Sequence, residues 1–184
     1  WKGIFYPDKL AQSKWFTFYC DHFNTLELNM SFYRFPTVQL LQDWYHKCPQ
    51  DFAFSLKAPR LITHYKQLTD TEKMLTEFYA VCREGLQEKL GTILFQFPPK
   101  YSYSEERIQK IITNLDKNFK NVVEFRNSSW WSEDVYKQLA KEKIIFCGSS
   151  YPRLPDTVIM NGPNLYYRFH GIPKVFYSEY EKEV

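Results

Sequence analysis

Charged and amide side chains recur two residues apart in this sequence, at the ends of short apolar runs. Glu27 and Asn29 form one pair, Ser55 and Lys57 a second, Glu124 and Arg126 a third, and Arg168 and His170 a fourth. Gln96 stands just before Pro98-Pro99. On a strand, side chains two apart share a face. Glu27 and Glu124 could act as acid and base, as in glycoside hydrolysis, or each could be an ion-pair partner of a nearby arginine. His170 is of a type that titrates in the physiological range. Lys57 could bind an anion or, if desolvated, attack a carbonyl carbon. Arg126 and Arg168, with the loop residues Arg34, Arg60, His64 and Trp130, make the set predominantly cationic, and an anionic ligand is its natural complement.

Alternating helical and extended patterns must position these residues. The spacing predicts helices near Ser13 to Phe23, after Pro36-Thr37, over the stripe from Leu75 to Leu86, over Ile108 to Leu115, and from Ser132 onward. Thr69 with Glu72, and Ser102 with Glu105, have the spacing of capping boxes. Strands are expected at Leu26–Met30, Phe52–Ala58, Thr92–Phe97, Asn121–Arg126, Ile144–Gly148 and Leu165–His170. A Pro- and Gly-rich connection without helical periodicity precedes the last strand. The βαβ series argues for a parallel sheet with right-handed crossovers, in a single domain over 1–184. No glycine-rich dinucleotide turn, P-loop or G-x-S-x-G elbow follows any strand.

The centre of a parallel sheet is apolar, so polar endings on five of six strands point to one functional mouth. Glu27, Glu124 and His170 are the candidate catalytic residues. Asn29, Arg34, Lys57, His64, Gln96, Arg126, Trp130 and Arg168 are the candidate ligand-binding residues. His64, His170, Glu27 and Glu124 could together hold one metal ion, although no metal site is assigned and no cofactor is named by any motif. The reading is a hydrolase or lyase acting on an anionic, phosphate-bearing ligand. The alternative is a non-catalytic binding module for a phosphorylated metabolite or a nucleic-acid backbone.

Composition sets the limits. Among 184 residues, 19% are aromatic, far too many for a disordered chain, and the net charge of +3 does not imply nucleic acid by itself. Cys20, Cys48, Cys82 and Cys147 form no C-x-x-C pair and read as reduced thiols of a cytoplasmic protein. No apolar run approaches the ~20 residues of a membrane span, so no membrane partner is expected.

The same segments carry a family resemblance. Trp1-x-Gly3-x-Phe5-Tyr6-Pro7, Phe23-Asn24-Thr25-x-Glu27 and Asn29-x-x-Phe32-Tyr33-Arg34-x-Pro36 open it. Phe54-Ser55-x-Lys57-x-Pro59-Arg60-x-Ile62-Thr63-His64 and Leu94-Phe95-Gln96-x-Pro98-Pro99 continue it. Glu124-Phe125-Arg126-x-x-Ser129-Trp130 and Tyr167-Arg168-x-His170-Gly171 complete it. Together they resemble the YecE-like family, domain of unknown function 72. The resemblance implies a TIM-like (β/α)8 barrel, here lacking its first and last strands. The first would precede Trp1 and end in a Gly-Thr-Ser-Gly-Trp-like segment; the last would follow Val184. It implies no particular reaction.

Overall fold

The computed structural model describes residues 1–177 and 180. Six strands, β1 (Thr25–Leu28), β2 (Ala53–Lys57), β3 (Leu90–Phe97), β4 (Asn121–Phe125), β5 (Ile145–Ser150) and β6 (Tyr166–Phe169), form one sheet in sequence order. Every neighbouring pair is parallel. The result is an α/β fold whose sheet forms an open, incomplete barrel, consistent with part of a (β/α)8 barrel. Strands β1 and β6 are its two edges. Each expected strand is present, with no end shifted by more than two residues.

Strand alternation sorts the side chains into two layers. Phe54, Leu56, Phe95, Phe97, Val123, Phe125 and Phe146 belong to the main core. The helices α1 (Trp15–Cys20), α3 (Val38–Tyr45), α4 (Glu72–Leu86), α5 (Glu105–Asn114) and α6 (Glu133–Lys141) contribute their apolar stripes to it. The opposite parity lines the barrel interior. There Leu94, Val122, Ile145 and Cys147 form a small separate cluster with Tyr166 packed against it. One step further along the same strands come Gln96, Glu124 and Arg168. The interior therefore has an apolar floor beneath a charged layer.

The helix boundaries show where local signals were overridden. Thr37 caps α3 as expected, its side chain accepting from the Leu40 N–H at 3.2 Å. Ser132 precedes α6, with Glu133 and Asp134 in the first turn. Helix α1 is much shorter than Ser13–Phe23: a 3-10 turn over Gln12–Lys14 precedes it, and Asp21 ends it. Neither expected capping box forms. Gln67, Leu68 and Asp70 adopt positive φ, a tight turn that puts Thr71 at the N-cap of α4. Thr69 instead accepts a hydrogen bond from Lys110. Ser104, not Ser102, caps α5, accepting from the Arg107 N–H, while Ser102 accepts from the Arg107 guanidinium. Two short elements lacked a sequence signal: α2 (Met30–Tyr33), and a π-helical turn over Leu61–Tyr65 that carries His64.

Candidate functional site

A cleft of about 760 Å³ opens at the carboxyl ends of the strands. Glu27, Asn29, Lys57, Gln96, Arg126, Arg168 and His170 all line it. The registers Glu27↔Ser55, Gln96↔Glu124 and Ser149↔Arg168 explain why residues so distant in sequence meet at one level.

Glu124 is the centre of the charged layer and is fully buried, 0% exposed. Its Oε2 accepts from Arg168 Nη1 at 2.6 Å, and its Oε1 accepts from Arg126 Nη2 at 2.7 Å. Burial pushes its carboxyl pKa up, but the Arg168 and Arg126 charges outweigh that and bring it down to about 2. Arg168 also donates Nη2 to Glu27 Oε1 at 2.7 Å, while Tyr166 donates its hydroxyl to Glu27 Oε2 at 2.7 Å. These bonds tie edge strand β6 to edge strand β1 across the interior, although the two edges share no backbone pairing.

His170 completes the group. Its Nε2 lies 2.7 Å from Arg126 Nη2 and 3.2 Å from Glu124 Oε1. Arginine can only donate, so the shorter contact makes Nε2 an acceptor. Arg126 Nη2 thus places one hydrogen on the carboxylate and one on the imidazole. The proton of neutral His170 then sits on Nδ1, which has no protein hydrogen-bond partner among the described residues. The Arg126 side chain is only 8% exposed. Its Nε is buried without a partner, and the Tyr151 ring centroid lies 4.0 Å from its Cζ.

A second chain of contacts runs from Lys57 and Gln96 in the cleft back to His64, which does not itself line it. Lys57 donates Nζ to Gln96 Oε1 at 2.6 Å and lies 4.0 Å from the Phe32 ring centroid. The Gln96 amide faces His64 Nε2 at 3.4 Å, and His64 Nδ1 meets Thr63 Oγ1 at 2.9 Å. With Gln96 donating, His64 Nε2 accepts and Nδ1 carries the proton. Burial, then Lys57 and Arg126, lower the His64 pKa. Burial and the nearby Arg168 charge lower Lys57 to about 8, against the pull of Glu124 and Glu27.

Two expected site residues lie elsewhere. Trp130 is 0% exposed and belongs to the core: its ring stacks on Phe125 at 3.9 Å and its Nε1 donates to Tyr101 O. The 3-10 turn over Ser128–Trp130 folds it outward from the sheet, away from the cleft. Arg34 is exposed at the end of α2 and does not line the cleft, because the turn of α2 presents Tyr33 there instead. Arg60 is also exposed, its Cζ 5.9 Å from the Tyr33 ring and 5.6 Å from Tyr65. No group of three or more metal-ligating side chains converges among the described residues. Arg168 occupies the space between Glu27 and Glu124 that a shared ion would need. Sequence reasoning missed Tyr166 and Tyr151. Both obey the two-residue rule, Tyr166 before Arg168 and Tyr151 after the inward Ser149, but their apolar bodies disguised them as core.

Fold and site together define a parallel α/β half-barrel with a charged cleft at the carboxyl ends of its strands. The chain belongs to the family described as "Protein of unknown function DUF72", whose model matches residues 1–184. It is 30% identical over 140 residues to the UPF0759 protein YunF of Bacillus subtilis (strain 168), covering 72% of this chain and 50% of YunF. It is 26% identical over 121 residues to the UPF0759 protein YecE of Escherichia coli (strain K12), covering 65% and 44%. The chain therefore spans half or less of the curated relatives it matches. The crystal structure of a DUF72 family protein of Thermotoga maritima superposes over 100% of this chain and 74% of its own, with TM-score 0.80 and 28% identity. A DUF72 family protein of Enterococcus faecalis shares the fold at TM-score 0.72 and 23% identity, over 83% of this chain and 68% of its own. No helix among the described residues is long and apolar enough to cross a membrane.

Proposed function

We propose that the cleft binds a small anionic molecule, phosphate- or carboxylate-bearing, and acts on it as a lyase or hydrolase. Arg126 holds the anion, Asn29 orients it, and His170 supplies a proton from Nδ1. The observation that carries this reading is the state of Arg126. It is nearly buried, its Nη2 fixed between Glu124 and His170, and its Nε has no protein acceptor. A buried N–H of this kind is stabilised by an acceptor brought by a ligand. Charge agrees: among the described residues Lys57, Arg126 and Arg168 line the cleft with the carboxylate of Glu27, and Glu124 lies buried beneath them.

Glu124 has a positioning role in this scheme. A carboxylate held near 2 by two guanidinium groups neither takes nor gives a proton near neutrality. Glu27 is braced by Arg168 and Tyr166. A second reading is a binding module for a nucleic-acid backbone. It is favoured by the exposed rings of Tyr33, Phe169 and Phe176 at the rim, surfaces on which bases can stack.

Calorimetric titration with inorganic phosphate and with a phosphorylated sugar tests the first reading. Binding should weaken with salt. Arg126→Lys keeps the charge beside Glu124 but loses the guanidinium fork, and should weaken binding about tenfold. Absence of binding above background, or affinity indifferent to Arg126→Lys, would refute it. Saturable binding of single-stranded oligonucleotide that displaces phosphate without any turnover would favour the second reading.

A further inference from the structure

We propose that Lys57 is a nucleophile whose ε-amine condenses with the carbonyl carbon of an anionic aldehyde or ketone held in the cleft, forming an imine. This rests on the anion-binding reading above and assigns it a substrate class, carbonyl compounds bearing a carboxylate or phosphate, and the lyase half of its chemistry.

The geometry of the three cations separates Lys57 from the other two. Arg126 and Arg168 are committed to Glu124 and Glu27. Lys57 sits at the inward end of β2, only 8% exposed, yet makes no salt bridge among the described residues. Its one hydrogen-bond acceptor among the described residues is the neutral Gln96 amide, and its ammonium end lies over Phe32. The molecule contains a structural counterexample. Lys89 is comparably buried, but its Nζ is enclosed by Tyr45 O at 2.8 Å, Cys48 O at 3.0 Å and Cys48 Sγ at 3.5 Å. Lys89 is a bound cation closing the end of α3. Lys57 instead has one acceptor among the described residues, which a neutral amine satisfies with one N–H, leaving its lone pair for an electrophile in the cleft.

Electrostatics act in the same direction. Burial and Arg168 lower the Lys57 pKa to about 8, so a useful fraction of neutral amine exists near neutrality. An anionic substrate adjacent to Arg126 would bring its carbonyl into the same cleft. The amine attacks the carbonyl carbon, a C–N bond forms, and the carbonyl π electrons move to oxygen. One amine hydrogen passes to that oxygen to give a hydroxyl, His170 Nδ1–H protonates the hydroxyl as it leaves as water, and the second amine hydrogen is released and returns to His170 through solvent. The resulting C=N bond, once protonated, accepts electrons from a breaking C–C or C–H bond at the adjacent carbon, which is lyase chemistry.

The test is reductive trapping. The chain is incubated with pyruvate or with dihydroxyacetone phosphate and then treated with sodium borohydride, whose hydride reduces an imine to a stable secondary amine. Peptide mass mapping should find one adduct, equal in composition to the probe acid less one oxygen atom, on the peptide containing Lys57. Its yield should rise with pH through about 8. Lys57→Met and Lys57→Arg should both abolish it, the second retaining the charge and so separating lost nucleophile from lost cation. An adduct spread over surface lysines and unchanged in both variants would overturn the proposal. So would the absence of any adduct while both probes bind in an Arg126-dependent way, a result that retires the imine and leaves the anion site standing. If neither probe binds nor is trapped, both readings fall.

Discussion

Replacing Glu124 by Gln should be among the most damaging conservative changes in the molecule. The carboxylate is 0% exposed and accepts from two guanidinium groups at 2.6 and 2.7 Å. Glutamine keeps the shape but not the charge, and one of its two terminal positions becomes an N–H donor. Facing Arg168 or Arg126, that donor meets another donor. Arg168 retains Glu27, whereas Arg126 retains no carboxylate among the described residues. Leaving a buried charge uncompensated costs about 3–5 kcal/mol. The protonation argument gives a similar size. A carboxyl whose pKa falls from 4.5 to about 2 on folding contributes about 3 kcal/mol when ionised. Because its folded value is depressed, that contribution is fully present above the ordinary carboxylate value and is lost as pH falls through the folded one. Urea unfolding followed by tryptophan fluorescence measures both effects. Near neutral pH the Glu124→Gln midpoint should drop with unchanged slope, and the gap to wild type should narrow as the solution is acidified below about pH 5. A neutral-pH loss under about 1 kcal/mol, or a gap that does not change with pH, would refute the claim that Glu124 anchors the charged layer.

Two further substitutions probe the scaffold. A Cβ at Gly85 would lie 2.4 Å from Leu41 Cβ, where α4 crosses α3. Helix propensity favours Gly85→Ala by ~1 kcal/mol, but overpacking costs about 1–3, so thermal melting should show net destabilisation; a higher melting temperature would show that α3 yields easily. Trp130→Ala should cost about 3–5 kcal/mol in urea unfolding while leaving phosphate affinity unchanged in calorimetry, since Trp130 fills the core and not the cleft; a selective loss of affinity would return it to the binding site.

Much of this molecule is written locally. Apolar runs bounded by Pro, Gly and Asn define six strands, and helical stripes between them leave parallel pairing as the connection that packs both faces. The two-residue period places Glu27, Lys57, Gln96, Arg126, Arg168 and His170 at the cleft and Glu124 beneath it, because alternation in a strand is a covalent property of the chain. Tertiary structure decided what each does. No local pattern specifies that Arg168 of β6 reaches Glu27 of β1, or that Arg126 divides one nitrogen between Glu124 and His170, because those contacts depend on sheet curvature and strand register. Loops were hardest. The turn at Arg34 presents Tyr33 to the cleft instead, and the turn at Trp130 carries its ring into the core, since a loop's direction is set by the packing around it and not by a period of its own.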